Sequence, residues 1–137
     1  MTPVRKLATL VLAVLSLVLA APAVFRAQEQ PVDPRIAAYD KGPAKIDVSK
    51  YPEDMQSRYK LFVTRCAKCH TAARAINCDF ALEEEWERYV KRMMRKPGSG
   101  ISPADGKKIF EFLAYDSKIR KKALYDRKLK EAGKSGS

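Results

Sequence analysis

The sequence predicts an all-α fold, a small domain of about three to four helices wrapped around one bound group. Three observations carry that expectation. Apolar residues recur at helical spacing in three separate stretches, and no stretch alternates apolar with polar residues as a half-buried strand would. The region holding the three helices is also short for a self-sufficient core. The chain has 137 residues, which leaves one small domain once targeting and tail segments are set aside. With 46% hydrophobic and 31% charged residues it is too apolar for a wholly disordered chain.

The first helix is expected between Pro52 and Cys66. Pro52 suits an opening turn, and Met55, Tyr59, Phe62 and Val63 follow along one helical face. The second begins near Leu82. Glu83, Glu84 and Glu85 lie at its positive end and Lys91, Arg92, Arg95 and Lys96 at its negative end, before Pro97 and Gly98 stop it. The third opens with Ser102 as N-cap, Pro103 as first helical residue and Asp105 in the first turn, and carries Ile109, Phe112 and Leu113 on one stripe. These elements fill residues 51–116, a size at which a hydrophobic core seldom supplies more than about 3 to 5 kcal/mol. The sequence holds three cysteines, two of them three apart, so a disulfide framework is not the staple.

The flanks read differently. Arg5 and Lys6 precede an apolar run from Leu7 to Ala21, and Ala21 and Ala23 form an A-x-A exit, so residues 1–23 are expected to be a secretory signal peptide. The alternative is an uncleaved anchor from Leu7 to Phe25, which Pro22 disfavours. Either way the rest of the chain is expected to be exported, to the periplasm or an equivalent space, and tethered to the membrane if the segment stays. Residues 24–50, with Pro31, Pro34, Gly42 and Pro43, are expected to be a linker or a strap with little regular structure. Residues 117–137 form a basic C-terminal tail, with eight Lys or Arg against Asp126 and Glu131.

The 27 Lys and Arg against 16 Asp and Glu give a net charge of +11, and loss of Arg5 and Lys6 with the signal peptide leaves +9. Such a chain suits nucleic acid, an anionic membrane face or an acidic protein. Export makes nucleic acid an unsuitable partner. The tail then has two readings. It is a solvated segment, or it steers the chain to an acidic docking surface or to anionic lipid.

The bound group is named by Cys66, Ala67, Lys68, Cys69 and His70, which spell C-x-x-C-H in an exported chain. Each cysteine can form a thioether to one haem vinyl group, and the adjacent imidazole can bind the iron from the proximal side. A zinc site recruiting Cys78 is the first alternative, but abutting ligands suit it poorly. A redox dithiol is the second, and it wants a βαβ context that is not visible. His70 is the only histidine, so a second histidine ligand within the chain is excluded by counting. Methionine is then the natural sixth ligand. Met1 leaves with the signal peptide and Met55 sits on the helix leading to the proximal side, so Met93 and Met94 remain. Trp86, Tyr89, Val90 and Met93 share one face of the second helix.

With these residues the region from Pro52 to Asp116 resembles the monohaem cytochrome c family. The family's helix before C-x-x-C-H and its final crossing helix both have counterparts, and Phe62, Ile109 and Phe112 match the positions through which those helices pack. One departure is Arg58, where a small residue is often found. The pattern Trp86, Val90, Met93 is similar to that of small cytochrome domains whose distal methionine comes from such a helix. The resemblance therefore implies one covalent heme c on Cys66 and Cys69, with His70 as proximal ligand and Met93 as distal ligand, Met94 being the alternative. It implies a cytochrome c maturation machinery to attach the haem, and a one-electron carrier, not an enzyme, working between redox partners. A haem enzyme or a gas or peroxide sensor with an open distal site is the rival reading. Trp86 and Tyr89 are expected to wall the haem or to pack in the core, Arg74 and Lys68 to contact propionates or be solvated, and Cys78 to be a buried small apolar residue rather than a reactive thiol.

Overall fold

The computed structural model describes residues 32–135, and every regular element among them is helical. In chain order these are α1 (Pro34–Asp40), α2 (Glu53–Cys66), α3 (Ala73–Asn77), α4 (Glu83–Met94), α5 (Pro103–Ile119) and α6 (Lys122–Ser135). The expected signal peptide, residues 1–23, lies outside the described residues. No helix among the described residues is long and apolar enough to cross a membrane.

Three of the six helices coincide with the three stretches of helical period. α2 starts after Pro52 with Glu53 and Asp54 in its first turn and carries Arg65 in its last, an order that suits the helix dipole. α4 follows Leu82, and the Glu85 carboxylate accepts from the backbone N–H groups of Ala81 and Leu82 at 2.8 and 2.9 Å. α5 is capped as its sequence demands, with Ser102 Oγ accepting from the Asp105 N–H at 3.1 Å and Pro103 first in the helix. It runs past Asp116 to Ile119.

α2 and α4 both pack on α5. Between α2 and α5, Phe62 and Phe112 are fully buried with ring centroids 5.6 Å apart, and Tyr59 lies 5.3 Å from Phe112. Arg58 does not block this crossing. Its guanidinium turns aside to Asp54 at 3.2 Å and to Glu111 of α5 at 3.4 Å, so an ion pair joins the two helices there. Between α4 and α5, the buried Trp86 donates its indole N–H to Ser117 Oγ at 2.8 Å.

The remaining helices change the expected boundaries. Where a linker was expected, Asp33 accepts from the Arg35 N–H and Pro34 opens α1. The strap is then pinned to α3. Asn77 Nδ2 donates to the carbonyls of Tyr39 and Pro43 at 3.1 and 3.0 Å, and Arg74 binds both carboxylate oxygens of Asp40. Tyr59 Oη accepts from the Ile46 N–H at 3.1 Å, tying the strap to α2 as well. α3 itself is five residues long, too short to leave a periodic signal. At the other end the basic tail is no loose appendage. Asp116, 1% exposed, accepts from Arg120 Nε at 3.1 Å, from Arg120 Nη2 at 2.7 Å and from the Tyr51 hydroxyl at 3.0 Å. Lys121 Nζ donates to the carbonyls of Cys78 and Phe80 at 2.7 and 3.0 Å and lies 5.0 Å from the Trp86 ring centroid.

Candidate haem site

The C-x-x-C-H segment begins where α2 ends. Cys66 is the last helical residue and half-buried, Cys69 is exposed in the following turn, and His70 is half-buried. His70 Nδ1 lies 3.0 Å from the Thr71 carbonyl oxygen. A carbonyl only accepts, so Nδ1 carries a proton, and in the neutral ring that leaves the Nε2 lone pair available to a metal. Burial, followed by the neighbouring Cys69, pushes the Cys66 thiol up to about 12. A redox dithiol needs a thiol shifted the other way, toward thiolate at neutral pH.

Facing the motif across a cleft is α4. One lobe, of about 330 Å³, is lined by Cys66, Cys69, His70, Tyr89, Met93 and Ile101 among others. An adjoining lobe of about 240 Å³ shares His70, Arg74, Tyr89 and Met93, and adds Arg35 and Tyr39 from the strap with Phe80 and Arg92. The loop from α4 to α5 forms the outer wall, where Gly98 and Gly100 take φ of 75° and 60°, the left-handed region that favours glycine. Ser99 locks this loop by donating from Oγ to the Met94 carbonyl at 3.1 Å.

The two adjacent methionines part ways. Residues one apart on a helix point about 100° from each other, so one face cannot present both. Met93 lines both lobes of the cleft. Met94 lies instead beside α5, its Sδ against Gly106 where a Cβ would collide, in a separate cavity lined by Val90, Pro103 and Phe110. Met55 lies in the first turn of α2, its Sδ 3.9 Å from Arg58 Nη1.

The residues present fit a haem. Two thiols, an imidazole with a free nitrogen and a thioether line one largely apolar cleft, the donor set that covalent attachment and axial ligation require. The Tyr89 side chain is 6% exposed and its hydroxyl has no hydrogen-bond partner. A buried polar atom left unmatched in a cleft calls for a bound acceptor or donor. Burial raises the Tyr89 pKa, so the hydroxyl keeps its proton to donate. Among the described residues no group of three His, Cys, Asp or Glu side chains is gathered as a metal site. Cys78 is buried, with Sγ 3.3 Å from the Ala75 carbonyl.

Other expected residues find specific places. Trp86 is core, bonded to Ser117 and edge-on to Phe80 and Tyr89, while Tyr89 walls the cleft. Arg74 lines the cleft but is held by Asp40, and Lys68 is exposed. The sequence reading missed Arg35, Tyr39 and Asp40. Their signal was the Asp33–Pro34 pair, a capping residue before a first-turn proline, which marks a helix start inside the supposed linker. No protein-family model matches this chain, and neither the comparison with curated proteins nor that with solved structures returns a match.

Proposed function

We propose that this chain is an exported monohaem c-type cytochrome that carries one electron at a time between redox partners. The observation that supports the reading best is the gathering of Cys66, Cys69, His70 and Met93 around one cleft, with Met94 turned to α5. Cys66 and Cys69 would each hold one vinyl-derived carbon, at the end of α2 and in the turn after it. His70 would bind from the motif side through Nε2, oriented by the Nδ1 bond to Thr71, and Met93 from the α4 side. Bound there, the haem supplies a single iron that gains and loses one electron. Methionine sulfur as the sixth ligand favours the ferrous form and raises the potential. With one iron position held by His70 in the segment after α2 and the other by Met93 on α4, little would reorganise on transfer and no coordination site would be open to a substrate. That favours a carrier over an enzyme or a gas sensor.

The test is attachment itself. The protein is produced in the periplasm of cells with a cytochrome c maturation machinery, and its mass and haem stain are read after denaturation. One haem that survives denaturation is expected. A soluble, folded chain that leaves the periplasm without haem would overturn the reading.

A further inference from the structure

Two nucleophilic side chains that the haem reading does not use lie side by side. Cys78 closes α3 and is 7% exposed, and Lys121 sits in the turn between α5 and α6. Although 43 residues separate them in the sequence, Lys121 Nζ is 4.0 Å from Cys78 Sγ. Two carbonyls fix the nitrogen there, those of Cys78 at 2.7 Å and Phe80 at 3.0 Å, with the Trp86 ring centroid 5.0 Å away. An ammonium has three N–H directions. Two are spent on the carbonyls, which leaves the third on the side of the sulfur and the indole. Burial lowers the Lys121 pKa and so favours the neutral amine, whose lone pair is a nucleophile.

The thiol is not sealed off. Cys78 lines the inner lobe of the cleft, a space of about 240 Å³ that it shares with Tyr89. The Tyr89 hydroxyl, buried and without a partner, is a donor in that lobe for a small polar molecule, and hydrogen peroxide is little larger than water. Of the three cysteines, haem attachment uses Cys66 and Cys69, so Cys78 is the one thiol left. A sulfenic acid formed on it has no second thiol in the chain with which to make a disulfide and is open to capture by nitrogen.

We propose that Cys78 and Lys121 are a peroxide-driven cross-linking site, at which an S–N bond joins the end of α3 to the turn between α5 and α6. In the first step Sγ attacks one oxygen of hydrogen peroxide. The O–O bond breaks, the sulfur gives up two electrons, and the other oxygen leaves as water with the thiol proton. Cys78 is then a sulfenic acid. In the second step the Lys121 lone pair attacks that sulfur, the S–O bond breaks, and the hydroxyl leaves as a second water with one amine proton. The product is a sulfenamide, which a thiol reductant returns to thiol and amine. The chemistry goes beyond the electron-carrier reading and does not need the iron; haem attachment only removes the competing thiols.

The experiment treats the holoprotein, its covalent haem verified, with a small excess of hydrogen peroxide. The protein is then unfolded in iodoacetamide and digested, with and without prior dithiothreitol. Mass spectrometry should find the peptide of Cys78 joined to the peptide of Lys121 at their summed mass less two hydrogens, and dithiothreitol should release it. The urea midpoint should rise with peroxide and return with reductant, because a link closing 43 residues restricts the unfolded chain as a disulfide does. Lys121→Arg keeps donors for the two carbonyls and should abolish the link, leaving Cys78 to oxidise on to sulfinic acid. Four results on the unsubstituted chain would each overturn the assignment, whether or not the Arg variant folds. They are a Cys78 that stays open to alkylation, one that gains oxygen without a link, one linked to the backbone nitrogen of Asp79, and one in a disulfide. A chain without haem speaks against the carrier reading alone, since Cys78 and Lys121 are followed by their own peptides.

Discussion

At the C-terminal end of α5 the polar groups that enter the interior are matched. Asp116 receives Arg120 and Tyr51, Ser117 receives the Trp86 indole, and Lys121 caps two carbonyls. At the cleft the balance is reversed. The only buried side-chain atoms without a partner among the described residues are Tyr89 Oη and Arg65 Nε, the second belonging to the residue before Cys66. Five cations there have no counter-ion among the described residues, and two thiols line the cavity wall. On the proposed reading, the matched end is architecture and the unmatched end is left for a bound group.

The largest effect is expected where that difference is most chemical. Cys66→Ser or Cys69→Ser removes one of the two sulfurs available to a haem, and the variants should lose normal covalent attachment and the cooperative melt that depends on it. Haem stain after denaturation and circular dichroism read both. A haem-free variant that still melts cooperatively at room-temperature conditions would show that the matched end alone sustains the fold.

Next comes the matched end itself. Arg120→Ala strands the Asp116 carboxylate in the interior and should destabilise the holoprotein by about 3 to 5 kcal/mol. A urea midpoint that falls with the slope unchanged measures this. Truncation after Asp116 removes Arg120, Lys121 and Trp86's partner Ser117 together, so it should do at least as much damage. A tail that merely floated would leave the midpoint where it was.

The strap gives the smallest effect and carries a pH signature. Hydrogen bonds from Arg74, opposed by partial burial, hold the Asp40 carboxyl below its ordinary range. Because the folded value is the lower one, this stabilisation is fully present above the unfolded pKa of about 3.9 and is lost as pH falls through the folded value. Amide exchange in α1 should therefore quicken at acid pH before α5 responds, and Asp40→Asn should quicken it already at neutral pH. Identical exchange in the two proteins would separate the strap from the Asp40–Arg74 pair.

Much of this was legible in the sequence, for physical reasons that differ by residue. Phe62, Ile109 and Phe112 announce themselves because a helix repeats every 3.6 residues, and Ser102–Pro103–Asp105 because cap chemistry is local. That Cys66, Cys69 and His70 share one cleft wall is legible because they are neighbours in the chain. The separation of Met93 from Met94 was half legible: the face could be read, but only the packing of Met94 Sδ on Gly106 decides which sulfur is left for the cleft. Asp40 with Arg74, Arg120 with Asp116 across to Tyr51, and Lys121 beneath Trp86 were not legible, since long-range polar pairs leave no period. The pairing of the tail's cations was not legible for the same reason: composition counts charges but does not say which are already paired.

The central claim, that α4 presents Met93 and not Met94 to a haem iron opposite His70, is tested most directly by the ferric absorption spectrum of two holoproteins, Met93→Ala and Met94→Ala. Met93→Ala should lose the methionine-to-iron charge-transfer band in the red and lower the reduction potential, while Met94→Ala should keep both and show only a loss of stability from its contact with Gly106. A band that survives in Met93→Ala and vanishes in Met94→Ala would contradict the account.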